Sequence, residues 1–237
     1  MGSLDALIEV QQLDMTADQL RHQRDTLPQL ASLTAAESAR ASTAARAEEA
    51  RSRLHELRRE QKALEDEASL VEEKAAGIDR KLYDGSVVAH KELEAFQADH
   101  RSLKARQTEL EDHAIEVMEA AEPVEAEVAD LDAELADHDR RIALLSAELA
   151  TMRADLDEHL ARVNEERSAV AAGLPADVRD TYEATRARMG GIGAARLVGN
   201  RCEGCHLEIP SAQLEQVRHA PEDAIVSCPE CGRILVR

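Results

Sequence analysis

The sequence predicts a mainly α protein: a long, kinked, antiparallel coiled-coil helical hairpin followed by a small β zinc ribbon. Three observations predict it. Apolar residues recur in a heptad pattern over most of the first 173 positions, the periodicity of a left-handed supercoil. Aromatic residues make up 1% of the 237-residue chain while charged residues make up 32%, a balance that excludes a large globular enzyme core and suits long helices. All four cysteines fall in the last 36 residues, as two Cys-x-x-Cys pairs. The expected division is a hairpin over 1–173, a connector helix and glycine joint over 174–192, and a ribbon over 193–237.

The first arm carries the seam in two pieces. One is Ala6, Val10, Leu13, Ala17, Leu20, Arg24 and Leu27; the other runs from Leu54 and Leu57 through Leu64, Ala68, Val71, Ala75 and Ile78 to Leu82. Pro28 should bend or restart the helix, because it lacks the backbone donor and clashes with the preceding turn. Between the pieces, 31–50 is rich in Ala, Ser and Thr, so a partner helix can approach closely there or the helix can fray. The second arm keeps phase from Leu93 to Val170, and His100, Gln107 and His138 interrupt its stripe; polar seam residues commonly set register. Pro123 should bend or restart this arm as Pro28 does the first.

The arms meet near 83–89, where Tyr83-Asp84-Gly85 forms the hairpin tip; Asp-Gly is a strong turn signal. The arms are of nearly equal length, each roughly 120 Å at helical rise. Equal arms imply that facing positions sum to about 172, which sets Val124, Val128 and Leu131 against the small residues of the first arm. A parallel homodimer of each arm is the competing arrangement.

Gly173 stops the second arm, and Pro175 suits the first turn of a short helix over 176–189. Gly190-Gly191-Ile192-Gly193 then reads as a flexible joint. Beyond it the heptad pattern is gone, and 194–198, 224–226 and 234–236 read as short strands.

Cys202, Cys205, Cys228 and Cys231 are the expected ligands of one structural Zn²⁺. Four thiolates close a tetrahedral sphere, and each Cys-x-x-Cys turn delivers two of them. The loop residues Glu203-Gly204 and Pro229-Glu230, with Gly232 after, suit turns whose N–H groups face the sulfurs. A saturated site leaves no position for a catalytic water, so His206 reads as a surface residue. A redox dithiol is the competing reading; one Cys-x-x-Cys would suffice for it, and no βαβ pattern surrounds the pair. No acid–base pair, nucleophilic triad or phosphate loop stands out, which argues against an enzyme.

The chain has 29 basic and 48 acidic residues, a net charge of −19, which disfavours whole-chain affinity for nucleic acid or an anionic membrane. One stretch differs: Arg186, Arg188, Arg196 and Arg201 lie together with no acidic residue between. They are candidate contacts for a protein partner or for a nucleic-acid backbone, RNA or DNA. No apolar run is long enough to span a membrane, and no signal sequence is apparent, so the expected location is the cytoplasm.

Two stretches together resemble a known family. They are Arg80-Lys81-Leu82-Tyr83-Asp84-Gly85-Ser86-Val87, with Lys91-Glu92-Leu93-Glu94-Ala95-Phe96-Gln97 after it, and the tail Cys202-Glu203-Gly204-Cys205-His206 with Cys228-Pro229-Glu230-Cys231-Gly232. The chain resembles the bacterial C4-type zinc-ribbon proteins with an N-terminal coiled-coil hairpin, and its composition suits an actinobacterial member. The resemblance implies a kinked hairpin capped by a ribbon, with the four cysteines as zinc ligands. It also implies a non-enzymatic adaptor role; epsilonproteobacterial and chlamydial relatives are linked to the nitrogen-type sigma factor, to flagellar or secretion components and, in one lineage, to RNA. Where many relatives have Asn-Pro before Lys91, this chain has Ala89-His90. The competing function is a Gre- or DksA-like factor that inserts its hairpin tip into the RNA polymerase secondary channel. Such tips need acidic residues for Mg²⁺, and here Arg80 and Lys81 offset Asp79 and Asp84.

Overall fold

The computed structural model describes residues 4–85, 89–221 and 224–237. The order is α1 (Asp5–Asp25), α2 (Pro28–Tyr83), α3 (His90–Ala172), α4 (Ala176–Arg188), β1 (Ala194–Val198), β2 (Arg201–Cys202), α5 (Ser211–His219) and β3 (Ile234–Val236). The fold is the antiparallel coiled-coil hairpin with a ribbon after it. Residues 33–144 form one compact unit, and residues up to 32 with 145–237 form the other. Of the expected turn over 83–89, residues 86–88 lie outside the described residues.

The two internal prolines act differently. α1 stops at Asp25, where the Thr26 N–H and hydroxyl both bond the carbonyl of His22 (3.0 and 2.7 Å), and α2 begins at Pro28 itself. A proline at the first helical position loses nothing, because that N–H has no partner inside a helix. Pro123 does not restart its helix: α3 runs unbroken through it. Ala121 and Val124 are fully buried on either side, so packing holds the turn that the missing donor weakens.

In the 33–144 unit the small-residue stretch is helical throughout, and Ala36, Thr43, Ala47 and Ala50 form its buried seam. Ala47 and Ala50 receive Leu131, with Val128 and Leu135 beside it, the expected pairing of large against small. Val124 is not part of this cluster. Nearer the tip, Ala68 and Val71 close on Leu110.

The register differs from the expectation of equal arms. That expectation sets Thr43 opposite Ala129, but Thr43 Oγ1 lies 3.4 Å from His138 Nε2, more than two helical turns further along α3. Side chains choose the register. Arg40 pairs with Asp139 (2.5 Å), Arg58 with Glu125 (2.7 Å), and Arg51 with Asp132. These exposed pairs add little stability singly, but a slipped register would break them together and drive Leu131 out of its alanine notch.

In the other unit, besides the coiled-coil cluster of Ala17, Leu20 and Val163, two cores share the strands β1 and β3. The sheet order is β2-β1-β3; β1 pairs antiparallel with β2 and parallel with β3. Side chains alternate across a strand, and β3 is buried on both faces. Ile234 and Val236 pack with Leu4, Leu7, Ile8 and Val10 of the first helical turns and with Val178 and Tyr182 of α4. Leu235 packs the other way, with Cys202, Cys228, Ile209 and, from α5, Leu214 and Val217. α5 and β2 were absent from the sequence reading. The strand expected at 224–226 is not formed; that segment gives single contacts, Leu235 N–H to the Val226 carbonyl (2.7 Å) and a bridge from Ser227 to Ile234.

Candidate metal centre

The four cysteine sulfurs lie within 4.8 Å of one another. Cys205 Sγ and Cys228 Sγ are 3.9 Å apart, close to the edge of about 3.8 Å of a tetrahedron with zinc–sulfur bonds of about 2.3 Å. No pair is bonded as a disulfide. Four thiols, two buried and two half-buried, without a carboxylate or histidine among them, form a soft donor set that fits one structural Zn²⁺.

Two knuckles build the centre with matching backbone. In each, the first cysteine donates its N–H five residues ahead: Cys202 to the Leu207 carbonyl (3.1 Å) and Cys228 to the Arg233 carbonyl (2.8 Å). Its own carbonyl accepts the N–H of the residue after the second cysteine, His206 or Gly232, at 2.8 Å in both. That residue is left-handed in both, with φ 62° at His206 and 77° at Gly232. Glycine takes this conformation freely; His206 takes it at a cost.

Burial raises the Cys228 thiol to about 12, against N–H groups of Cys231 and Glu230 that favour its thiolate. Cys202 is raised likewise by burial, opposed by N–H groups of Cys205 and Gly204. At Cys231 burial also acts upward, but the Arg233 N–H and guanidinium and the neighbouring thiols outweigh it and bring the group down to about 7. Metal would hold all four as thiolates, and these N–H groups offset their charge. Gly204 is required for close approach: an added Cβ would sit 2.7 Å from Arg233 Cδ and 2.9 Å from Ala195 Cβ.

Beside the ribbon lies a polar clasp that the sequence reading missed. Gln11 is buried on α1, and its Oε1 accepts the N–H of Gly193 (2.6 Å) and of Ala194 (3.2 Å) while its Nε2 donates to the Gly191 carbonyl (3.0 Å). The glycine joint is therefore held, not free, and Gly193 packs so tightly on Tyr182 that a Cβ would come within 2.9 Å of the ring. The Tyr182 hydroxyl donates to Asp14 (2.7 Å). Burial, then this bond to a carboxylate, raise the Tyr182 pKa well above the usual phenol range. Arg167 donates to Asp14 (3.1 Å) and to Glu183. The signal was present as a polar stripe, Gln11, Asp14 and Asp18, beside the apolar stripe of α1.

The four candidate arginines do not share one environment. Arg186 turns inward, donating to Asp18 (2.6 Å) with its Nε 3.5 Å from Asp14. Arg188 is exposed beside the second knuckle, its guanidinium 3.7 Å from where a Cβ on Gly232 would lie. Arg196 is half-exposed and 3.9 Å from Asp5, and Arg201 is exposed on β2. At the tip, Tyr83 is 85% exposed, the Asp84 N–H bonds the Arg80 carbonyl (2.9 Å), and Gly85 turns the chain at φ 76°. Lys81 lies over the Phe96 ring, 5.7 Å from its centre. Among the described residues, the four cysteines are the one grouping of three or more side chains placed to hold a metal, and no helix is long and apolar enough to cross a membrane.

The family model described as the CT398-like coiled coil hairpin domain matches residues 10–190, and that of the C4-type zinc ribbon domain matches 201–235. A Mycobacterium tuberculosis relative, "Uncharacterized protein Rv2229c", is 33% identical over 232 residues, which is 98% of this chain and 94% of the relative. Three solved structures share the fold. A Mycobacterium smegmatis protein aligns at TM-score 0.88 with 24% identity over the whole of both chains. CT398 from Chlamydia trachomatis aligns at 0.72 with 16% identity, over 99% of this chain and 97% of that one. HP0958 from Helicobacter pylori aligns at 0.51 with 17% identity, over 100% and 98%. Both parts described above are thus matched in order along one chain, which belongs to the family of the CT398-like coiled-coil hairpin domain and carries a C4-type zinc ribbon after it.

Proposed function

We propose that this chain is a non-enzymatic adaptor of the cytoplasm that binds a protein partner through its ribbon and hairpin. The observation that carries the reading is the closed cysteine centre. Its four ligands saturate a tetrahedral ion, so the one metal-competent group among the described residues is structural. The buried carboxylate of Asp14 is likewise occupied, by Tyr182 and Arg167, which leaves it no role as a free acid or base.

A protein partner is favoured over nucleic acid because Arg186 is already paired with Asp14 and Asp18, and the ribbon offers no aromatic platform for bases. The polymerase-channel reading is less favoured. Asp79 at the tip lies 3.8 Å from His100, and no acidic cluster converges there among the described residues.

The test is a tagged pull-down from native lysate, with and without nuclease, comparing the wild-type chain with Cys228→Ser. Discrete proteins that survive nuclease and disappear with Cys228→Ser are expected. Material that vanishes with nuclease would overturn the protein reading, and capture indifferent to zinc would overturn the ribbon's part in it.

A further inference from the structure

A groove of about 560 Å³ opens between the start of α1 and the ribbon, with no cysteine in its lining, within the size range of ligand sites. Its apolar lining comes from Leu4, Leu197 and Val236, and its cations are Arg218 and Arg237. Neither arginine has a carboxylate partner among the described residues. Arg218 donates to the Gly199 carbonyl (3.0 Å), and Arg237 to the carbonyls of Val217 (2.8 Å), Ala220 (2.7 Å) and Pro221 (2.5 Å). A guanidinium has five N–H donors, so both retain unspent donors, and backbone carbonyls fix their positions without cancelling their charge. Asp5 is on the wall, but Arg196 lies 3.9 Å from it and offsets it.

In a chain of net charge −19, two arginines held by backbone carbonyls and without a carboxylate partner among the described residues form a local reversal of sign. We propose that this groove binds a peptide segment of a protein partner that presents a carboxylate beside an apolar side chain. The carboxylate takes the free guanidinium donors, a charge-assisted contact stronger than a neutral one, and the apolar side chain lies on Leu197, a half-exposed apolar residue of the lining. A nucleic-acid backbone fits less well: it brings no apolar group for that lining. The proposal rests on the adaptor reading and names the chemistry of its partner.

The test uses the full zinc-loaded chain and three fluorescent probes: a short peptide alternating leucine and glutamate, its leucine–glutamine counterpart, and an oligouridylate. The leucine–glutamate peptide should bind about tenfold more tightly than the glutamine version, the size expected for one charged hydrogen-bonded contact. Arg218→Gln should remove that preference, while Arg141→Gln on α3 should not. Arg218 holds one carbonyl, so its replacement should leave zinc content at one per chain; Arg237→Gln gives a second reading of the same loss. Equal binding of both peptides, binding indifferent to Arg218→Gln, or no peptide binding overturns the proposal. Oligouridylate binding that is lost with Arg218→Gln overturns it in favour of nucleic acid. If the pull-down still captures zinc-dependent proteins with Arg218→Gln, the groove proposal falls while the adaptor reading stands. If the wild-type chain captures none, the adaptor reading itself falls.

Discussion

Replacing Gln11 with methionine isolates the clasp's hydrogen bonds, because the side chains are close in length and volume and leave no space for water. In the wild-type chain Gln11 satisfies the N–H groups of Gly193 and Ala194 and the carbonyl of Gly191. Gly193 and Ala194 are buried, so their donors would have no replacement. A buried group left unpaired costs about 1–3 kcal/mol. Two donors and a half-buried acceptor therefore put the loss at about 3 kcal/mol, allowing for backbone relaxation. The assay is amide hydrogen exchange under native conditions, read at Gly193 and Ala194. A loss of about 3 kcal/mol predicts exchange roughly a hundredfold faster at both amides. Protection within threefold of wild type would refute the reasoning, since it would mean that Gln11 does not hold the glycine segment.

Other outcomes follow from the same geometry. His206→Gly relieves a left-handed histidine where the twin knuckle has Gly232, and should stabilise the ribbon by up to about 1 kcal/mol in chemical unfolding. Gly193→Ala drives a Cβ to 2.9 Å from the Tyr182 ring, and should lower the thermal midpoint by several degrees, consistent with an overpacking cost of about 1–3 kcal/mol. The raised Tyr182 pKa means that above pH about 10 the unfolded chain releases this proton while the folded chain keeps it. Stability should therefore fall with rising pH there, and Tyr182→Phe should flatten that slope in midpoint-against-pH curves. Zinc analysis should give one ion per chain in the wild type and a large loss in Cys228→Ser.

Periodic and locally spaced features were legible in the sequence. The heptad stripes, the Cys-x-x-Cys pairs and the Pro28 restart each depend on neighbours within a few positions. Leu131 against small residues was legible because a seam alternates large with small. The register was not, because it depends on pairs such as Arg40 with Asp139, which no local pattern ranks above the symmetric alternative. α5 was missed because its helix is short and its apolar residues, Leu214 and Val217, are too few to set a period. The largest omission was that the first helical turns complete the ribbon's core. Val10 reads as an ordinary seam residue and Leu4 and Leu7 lie outside the stripe, and only the fold places Ile234 and Val236 against them. The start of α1 and the cysteine centre are therefore joined through β3.

That shared strand is the centre of the account, and hydrogen exchange of the full chain with and without a zinc chelator tests it most directly. Zinc binding supplies folding free energy to small metal-built domains, and β3 carries Leu235 on the cysteine side and Ile234 and Val236 on the α1 side. Removing the metal should cost protection in β1, β3 and α5 and also in residues 7–14 of α1, while residues 47–71 and 110–131 of the hairpin keep theirs. Full protection of 7–14 after the ribbon has lost its own would contradict the claim that the zinc ribbon and the first helix form one core.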